Sequence, residues 1–118
     1  MEQKISFKDL IVWQRAMQVA EEVYTLSKLL PKEENYSLTS QIRRSAVSIP
    51  SNIAEGNKRG TKKDYCQFLK IANGSSAELE TQLILLEKIY PEISVKKAFE
   101  LLTETQKMLT IIIRKLES

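Results

Sequence analysis

The chain has 118 residues, a formal charge of +3, one cysteine and no histidine. An internal disulfide, a cysteine-rich zinc site and the side chain most used for proton transfer near neutral pH are therefore excluded. Three glycines and three prolines leave few turns, which favours a small number of long helices over many short strands.

The stretch Met1–Ile5 is polar and lacks the apolar core of a signal peptide. No apolar run approaches the roughly 18 residues of a membrane span. With a lone thiol suited to a reducing compartment, these features predict a cytoplasmic protein of one domain. Ser6 and Asp9 resemble a capping box, and the first helix is predicted from about Phe7 to Leu30. Its stripe is Leu10, Trp13, Met17, Ala20 and Tyr24, widened by Ala16, Val19, Val23 and Leu26 or Leu30. Pro31 disfavours helical geometry in the residue before it, so the helix ends there and PKEENY forms a polar loop.

The second helix is predicted from near Ser37 to Gly56, with Leu38, Ile42, Ala46, Ile49 and Ile53 facing the core. At about 100° per residue, Arg44, Ser48, Ser51 and Glu55 share the far side. Arg43, Val47, Pro50 and Ala54 lie between the two stripes. Pro50 lacks an N–H and crowds the Ala46 carbonyl, which predicts a kink, with Ser48, Ser51 or Asn52 satisfying freed backbone. Gly56 reads as the C-terminal cap and Asn57–Gly60 as a tight link.

Thr61 and Asp64 repeat the capping pattern at the start of a third helix, Thr61 to Tyr90, about 45 Å long. Tyr65, Phe68, Leu69, Ala72, Ser76, Leu79, Leu83 and Leu86 mark its core face. The small residues Ala72–Ala77 predict a close helix approach there, with the Trp13 region as the candidate neighbour. Pro91 ends this helix. Ser94 reads as the cap of a fourth, which runs to about Lys115 or Leu116 on Val95, Ala98, Leu102, Thr105, Leu109, Ile112 and Leu116. Leu101, Met108, Ile111 and Ile113 lie off that stripe and suggest a second partner, such as another copy of the chain. Four amphipathic helices on short links predict an all-α, up-down-up-down four-helix bundle.

Charge concentrates between Ser40 and Lys63. Arg43, Arg44, Lys58, Arg59, Lys62 and Lys63 face a single carboxylate, Glu55, while the whole chain is only +3, so the remainder is net acidic. Lys62 and Lys63 fall in the first turn of the third helix, where unpaired N–H groups and the helix dipole disfavour cations. A local penalty of this kind points to a function that wants anions. The plain alternative is a solvated turn that aids solubility. Arg43 and Arg44 either extend the patch or cover apolar surface and pair with carboxylates.

Glu55 has no nucleophile, metal site or histidine beside it and reads as exposed or ion-paired. Cys66, next to Tyr65, reads as a packed thiol. Trp13 and Tyr65 have the chemistry to stack on bases but stand at core spacing. No phosphate-binding loop, dinucleotide fingerprint or metal-ligating pattern is present, so no cofactor and no enzymatic activity are expected.

Three blocks also carry a resemblance: FKDLIVWQRA at Phe7–Ala16, SQIRRSAVSIPSNIAEGNKRG at Ser40–Gly60 and FLKIANGSSAELETQL at Phe68–Leu83. They resemble the four-helix-bundle proteins encoded in intervening sequences of bacterial 23S ribosomal RNA genes. The similarity spans about Phe7 to Leu86, and the fourth helix shares only apolar character. The resemblance implies a left-handed bundle assembled as a ring, typically a homopentamer. It also implies a relation to the accessory protein of diversity-generating retroelements, which works with nucleic acid and reverse transcriptase. Arg43, Arg44, Pro50, Asn52, Glu55, Gly56 and Arg59 fall in the matched motif, and no settled role comes with them.

The sequence therefore predicts a non-enzymatic oligomeric bundle that binds nucleic acid, RNA above DNA, through phosphate contacts from Arg43, Arg44, Lys58, Arg59, Lys62 and Lys63. The alternative is a protein-interaction scaffold. In it, Arg43, Val47 and Pro50 would lie in a subunit interface, and the basic corner would hold an acidic protein or serve solubility alone.

Overall fold

The computed structural model of the chain describes residues 5–118. A 3-10 turn, Phe7–Asp9, precedes α1 (Ile11–Ser27), and a second, Lys32–Glu34, precedes α2 (Leu38–Arg59). α3 (Lys62–Ile89) and α4 (Lys96–Glu117) follow. The helices alternate in direction within a rod of 52 × 22 × 20 Å. α1 and α3 each pack against α2 and α4 and make no close approach to each other among the described residues, so they stand on the diagonal. No described helix is long and apolar enough to cross a membrane.

The core follows the predicted spacing in α2, where Leu38, Ile42, Ala46, Ile49 and Ile53 are all buried. It holds in α3 for Leu69, Ala72, Ser76, Leu79, Leu83 and Leu86, with Tyr65 and Phe68 half-buried at the margin. In α4 the buried set runs Ala98, Leu102, Thr105, Leu109 and then Ile113, one residue beyond the expected Ile112. α1 differs more. Its buried face is Val12, Ala16, Val19, Ala20, Val23 and Leu26. Met17 and Tyr24 are 36% and 42% exposed, while Trp13 is half-buried and edge-on to Phe7. On α1 mainly Ala and Val face the interior, opposite the leucines of α3 and α4, and the bulkier amphipathic side chains are left on its flank.

Helix ends also move. The first helix breaks at Leu10 into a turn and α1, and Ser6 accepts the Lys8 N–H rather than closing a box with Asp9. α2 runs past Gly56 to Arg59, and the left-handed cap is Gly60, φ +86°. Gly56 is buried inside the helix, where a Cβ would come within 2.6 Å of the Phe68 Cβ, so it allows α2 and α3 to approach closely. Thr61 caps α3 as expected, accepting the Asp64 N–H at 3.1 Å. α4 begins at Lys96, with Val95 at its cap position, and the Lys96 N–H reaches the Ser94 Oγ at 3.4 Å.

Pro50 lies buried within α2, and the Asn52 amide donates to the Ser48 carbonyl and hydroxyl, not to the Ala46 carbonyl that the proline leaves without its donor. The small segment of α3 serves α2 and α4 rather than the Trp13 region. Ser75 hydrogen-bonds Ser48 at 2.7 Å, and Gln106 donates to Ser76 and Glu80. Gly74 itself faces open space.

Candidate nucleic-acid interface

Antiparallel alternation brings the end of α2, the start of α3, the start of α1 and the end of α4 to one end of the rod. The α2–α3 corner there is held by backbone and packing: Gly60 supplies the positive φ, Thr61 the cap, and Gly56 the close approach to Phe68. Lys58, Lys62 and Lys63 project from that corner into solvent, and none has a carboxylate within ion-pair distance among the described residues. Thr61 takes the Asp64 N–H, which leaves those of Lys62 and Lys63 without a protein acceptor among the described residues. Lys58 suits the negative end of α2, whereas Lys62 and Lys63 oppose the positive end of α3.

The structure separates the six predicted cations. Arg43 is turned toward α1: its Nε donates to the Ser27 Oγ at 2.8 Å, and its guanidinium lies 4.7 Å from the Tyr24 ring centroid. It therefore fastens α2 to α1 and does not extend the patch. Arg44 is exposed but stands fourteen residues before Lys58, about 21 Å along the helix. Arg59 pairs with Glu55 at 2.8 Å and covers the Phe68 ring at 5.0 Å. The hydrogen bond from Glu55 raises the Arg59 pKa above its ordinary value. Of the six, only Lys58, Lys62 and Lys63 are both adjacent and without a carboxylate partner among the described residues.

Three cations that sequence reasoning did not place join them. Lys70, two turns into α3, pairs with Glu117 at 2.6 Å, and that hydrogen bond raises the lysine's pKa. The pair fixes the last turn of α4 beside the first turns of α3, and with it the exposed Arg114 and Lys115. Between the two helices runs an open groove of about 450 Å³ lined by Lys62, Lys63, Gln67, Lys70, Cys66 and Leu116. The count of helices was the available clue: an even number of antiparallel helices returns the C-terminal turn to the starting end.

The sequence matches the family described as 23S rRNA-intervening sequence protein over residues 8–112. The chain belongs to that family. Its fold is similar to the crystal structure of a protein with unknown function from the S23 ribosomal protein family of Bacteroides thetaiotaomicron. That likeness has a TM-score of 0.76 and 28% identity, covering 87% of this chain and 98% of the other. No curated protein matches the sequence.

Among the described residues no group of three or more His, Cys, Asp or Glu could hold a metal ion. Glu55 is half-exposed and committed to Arg59. Cys66 is partly buried in the lysine groove. Tyr65 is half-buried, and desolvation pushes its phenol above the ordinary value.

Proposed function

We propose that this member of the 23S rRNA-intervening sequence protein family is a non-enzymatic bundle that binds nucleic acid, RNA above DNA, through phosphate contacts at its basic end. The observation that carries the reading is the placement of Lys62 and Lys63. They are exposed and have no carboxylate partner among the described residues, and they stand where the dipole of α3 disfavours them, beside a groove that adds Lys70. Lys58, Arg114 and Lys115 widen the footprint, and Arg59 joins it on release from Glu55. Such contacts hold a phosphate backbone without reading its sequence.

Filter binding of a structured RNA across a salt series tests this. With four to five phosphates neutralised, log affinity should fall against log salt with a slope of about −3 to −4. Changing Lys58, Arg59, Lys62 and Lys63 together to Ser should abolish retention and leave the mass in solution unchanged. No retention at low salt, or an affinity indifferent to salt, overturns the proposal.

Self-association belongs to the same reading. Ile84, Leu85 and Ile89 on α3 are 41%, 47% and 51% exposed, apolar surface suited to a second copy of the chain. The mass in solution tests this part: a monomer at micromolar concentration overturns it and leaves phosphate binding standing.

A further inference from the structure

Two hollows open on the basic end and share one side chain. The first is the lysine groove, about 450 Å³, whose cations come from Lys62, Lys63 and Lys70. The second, about 460 Å³, lies between the α2–α3 corner and the start of α1. Leu10 and Tyr65 give it an apolar, aromatic wall, Asn57 and Thr61 supply polar groups, and Lys62 borders both hollows.

Cations alone suit phosphate and nothing more specific. An apolar recess with an aromatic wall and a few polar groups suits a flat heterocycle. Side by side, the two suit a phosphate joined to a ring by a short linker, which is the form of a nucleotide. A base enters such a recess only when it is free of its partner and its stack.

We propose that the basic end holds an unpaired nucleotide of RNA, its phosphate against Lys62 and Lys63 and its base in the recess beside Tyr65. RNA is the source because folded RNAs display unstacked bases in loops and bulges, where proteins recognise them by stacking. The inference rests on the phosphate reading above and adds the base to it.

Electrostatics alone predicts the opposite strand preference. A duplex carries the denser charge, and its salt slope per neutralised phosphate is about −0.9 against −0.7 for a single strand. Tighter binding of the single strand therefore marks the base and not the charge.

The test is fluorescence anisotropy with the full chain and three probes: a short single-stranded RNA, the same RNA annealed to its complement, and inorganic polyphosphate of similar length. The single strand should bind about tenfold more tightly than the duplex. Tyr65→Leu should remove about tenfold from single-strand affinity and leave polyphosphate binding unchanged, which also shows that the variant is folded. Lys62→Gln should weaken all three.

A duplex that binds as tightly as the single strand overturns the inference, and so does a folded Tyr65→Leu that loses all three probes equally. Both outcomes leave the phosphate reading intact. Failure of every probe at low salt removes the phosphate reading, and the nucleotide site with it. The strand comparison uses the unaltered chain, so it decides even where Tyr65→Leu fails to fold.

Discussion

At the opposite end of the rod from the α2–α3 corner, a single carboxylate ties two connections together. Glu34, in the turn before α2, accepts from the Ser37 hydroxyl at 2.6 Å and from the Tyr90 hydroxyl, at the close of α3, at 2.5 Å. At the basic end the α2–α3 corner is closed by Gly56, Gly60 and Thr61, and of its cations only Arg59 has a carboxylate partner among the described residues, Glu55. One end uses its polar groups to hold helices in place. The other delegates that task to backbone geometry and close packing, which leaves Lys58, Lys62 and Lys63 available. A charge that is not needed for folding can be offered to a ligand.

The largest expected effect that tests this contrast is at Gly56. Gly56→Ala puts a methyl 2.6 Å from the Phe68 Cβ, and overpacking should cost about 1–3 kcal/mol despite the gain in helix propensity. Thermal unfolding would show it as a fall of about 4 °C per kcal/mol. Gly60→Ala forces a side chain into φ +86° and should cost about 1–2 kcal/mol by the same measurement.

Gly74→Ala is the control of opposite sign. Nothing lies within 4 Å of its added methyl, so the single chain should gain about 0.5–1 kcal/mol.

On the binding side, Glu117→Gln frees Lys70 in the groove and should raise RNA affinity about threefold, since exposed ion pairs contribute only about 0.2–1 kcal/mol. The gain should vanish in a Lys70→Gln background, as a titration of both variants would show.

The smallest effect belongs to the opposite end. The hydrogen bond from Ser37, then that from Tyr90, holds the Glu34 carboxyl below its ordinary 4.5, and the bond to Glu34 pushes Tyr90 up to about 12. Glu34 binds protons less readily when folded. Its contribution is therefore present above pH 4.5 and lost as pH falls through the depressed value. Tyr90 keeps its proton more firmly when folded. That contribution is full below pH 10 and lost as pH rises through about 12. Tyr90→Phe should shrink the alkaline limb, to which Tyr65 and Lys70 also contribute, and the acid limb in part, read as melting temperature against pH.

Much of the bundle was legible because period is a local property. α2 and α3 carry one clean apolar stripe each, and each stripe is the buried face. α1 carries two overlapping stripes one residue apart. Hydrophobicity cannot choose between Trp13, Met17 and Tyr24 on one side and Val12, Val19 and Val23 on the other. The choice depends on the width of the space between α2 and α4. Gly56 posed a similar difficulty: it reads as the cap, but α2 runs on to a cap at Gly60, and what Gly56 serves is the close approach of Phe68, on another helix.

The basic end was half legible. Lys58, Lys62 and Lys63 are neighbours in the chain and remain so in space. Arg43 shares α2 with Lys58 but packs against α1 through Ser27 and Tyr24, while Lys70 lies two turns further along α3 and Arg114 and Lys115 arrive through the return of α4.

By itself, the order of residues determined four amphipathic helices, the Thr61 cap, the core faces of α2 and α3, and a cluster of cations at one helical corner. All of these depend on spacing over a turn or two. Only the tertiary structure decided the rotation of α1, the role of Gly56, and which charges share a surface. Those outcomes depend on side chains tens of residues apart meeting across helix interfaces, where close packing admits one arrangement and the pattern along the chain permits several.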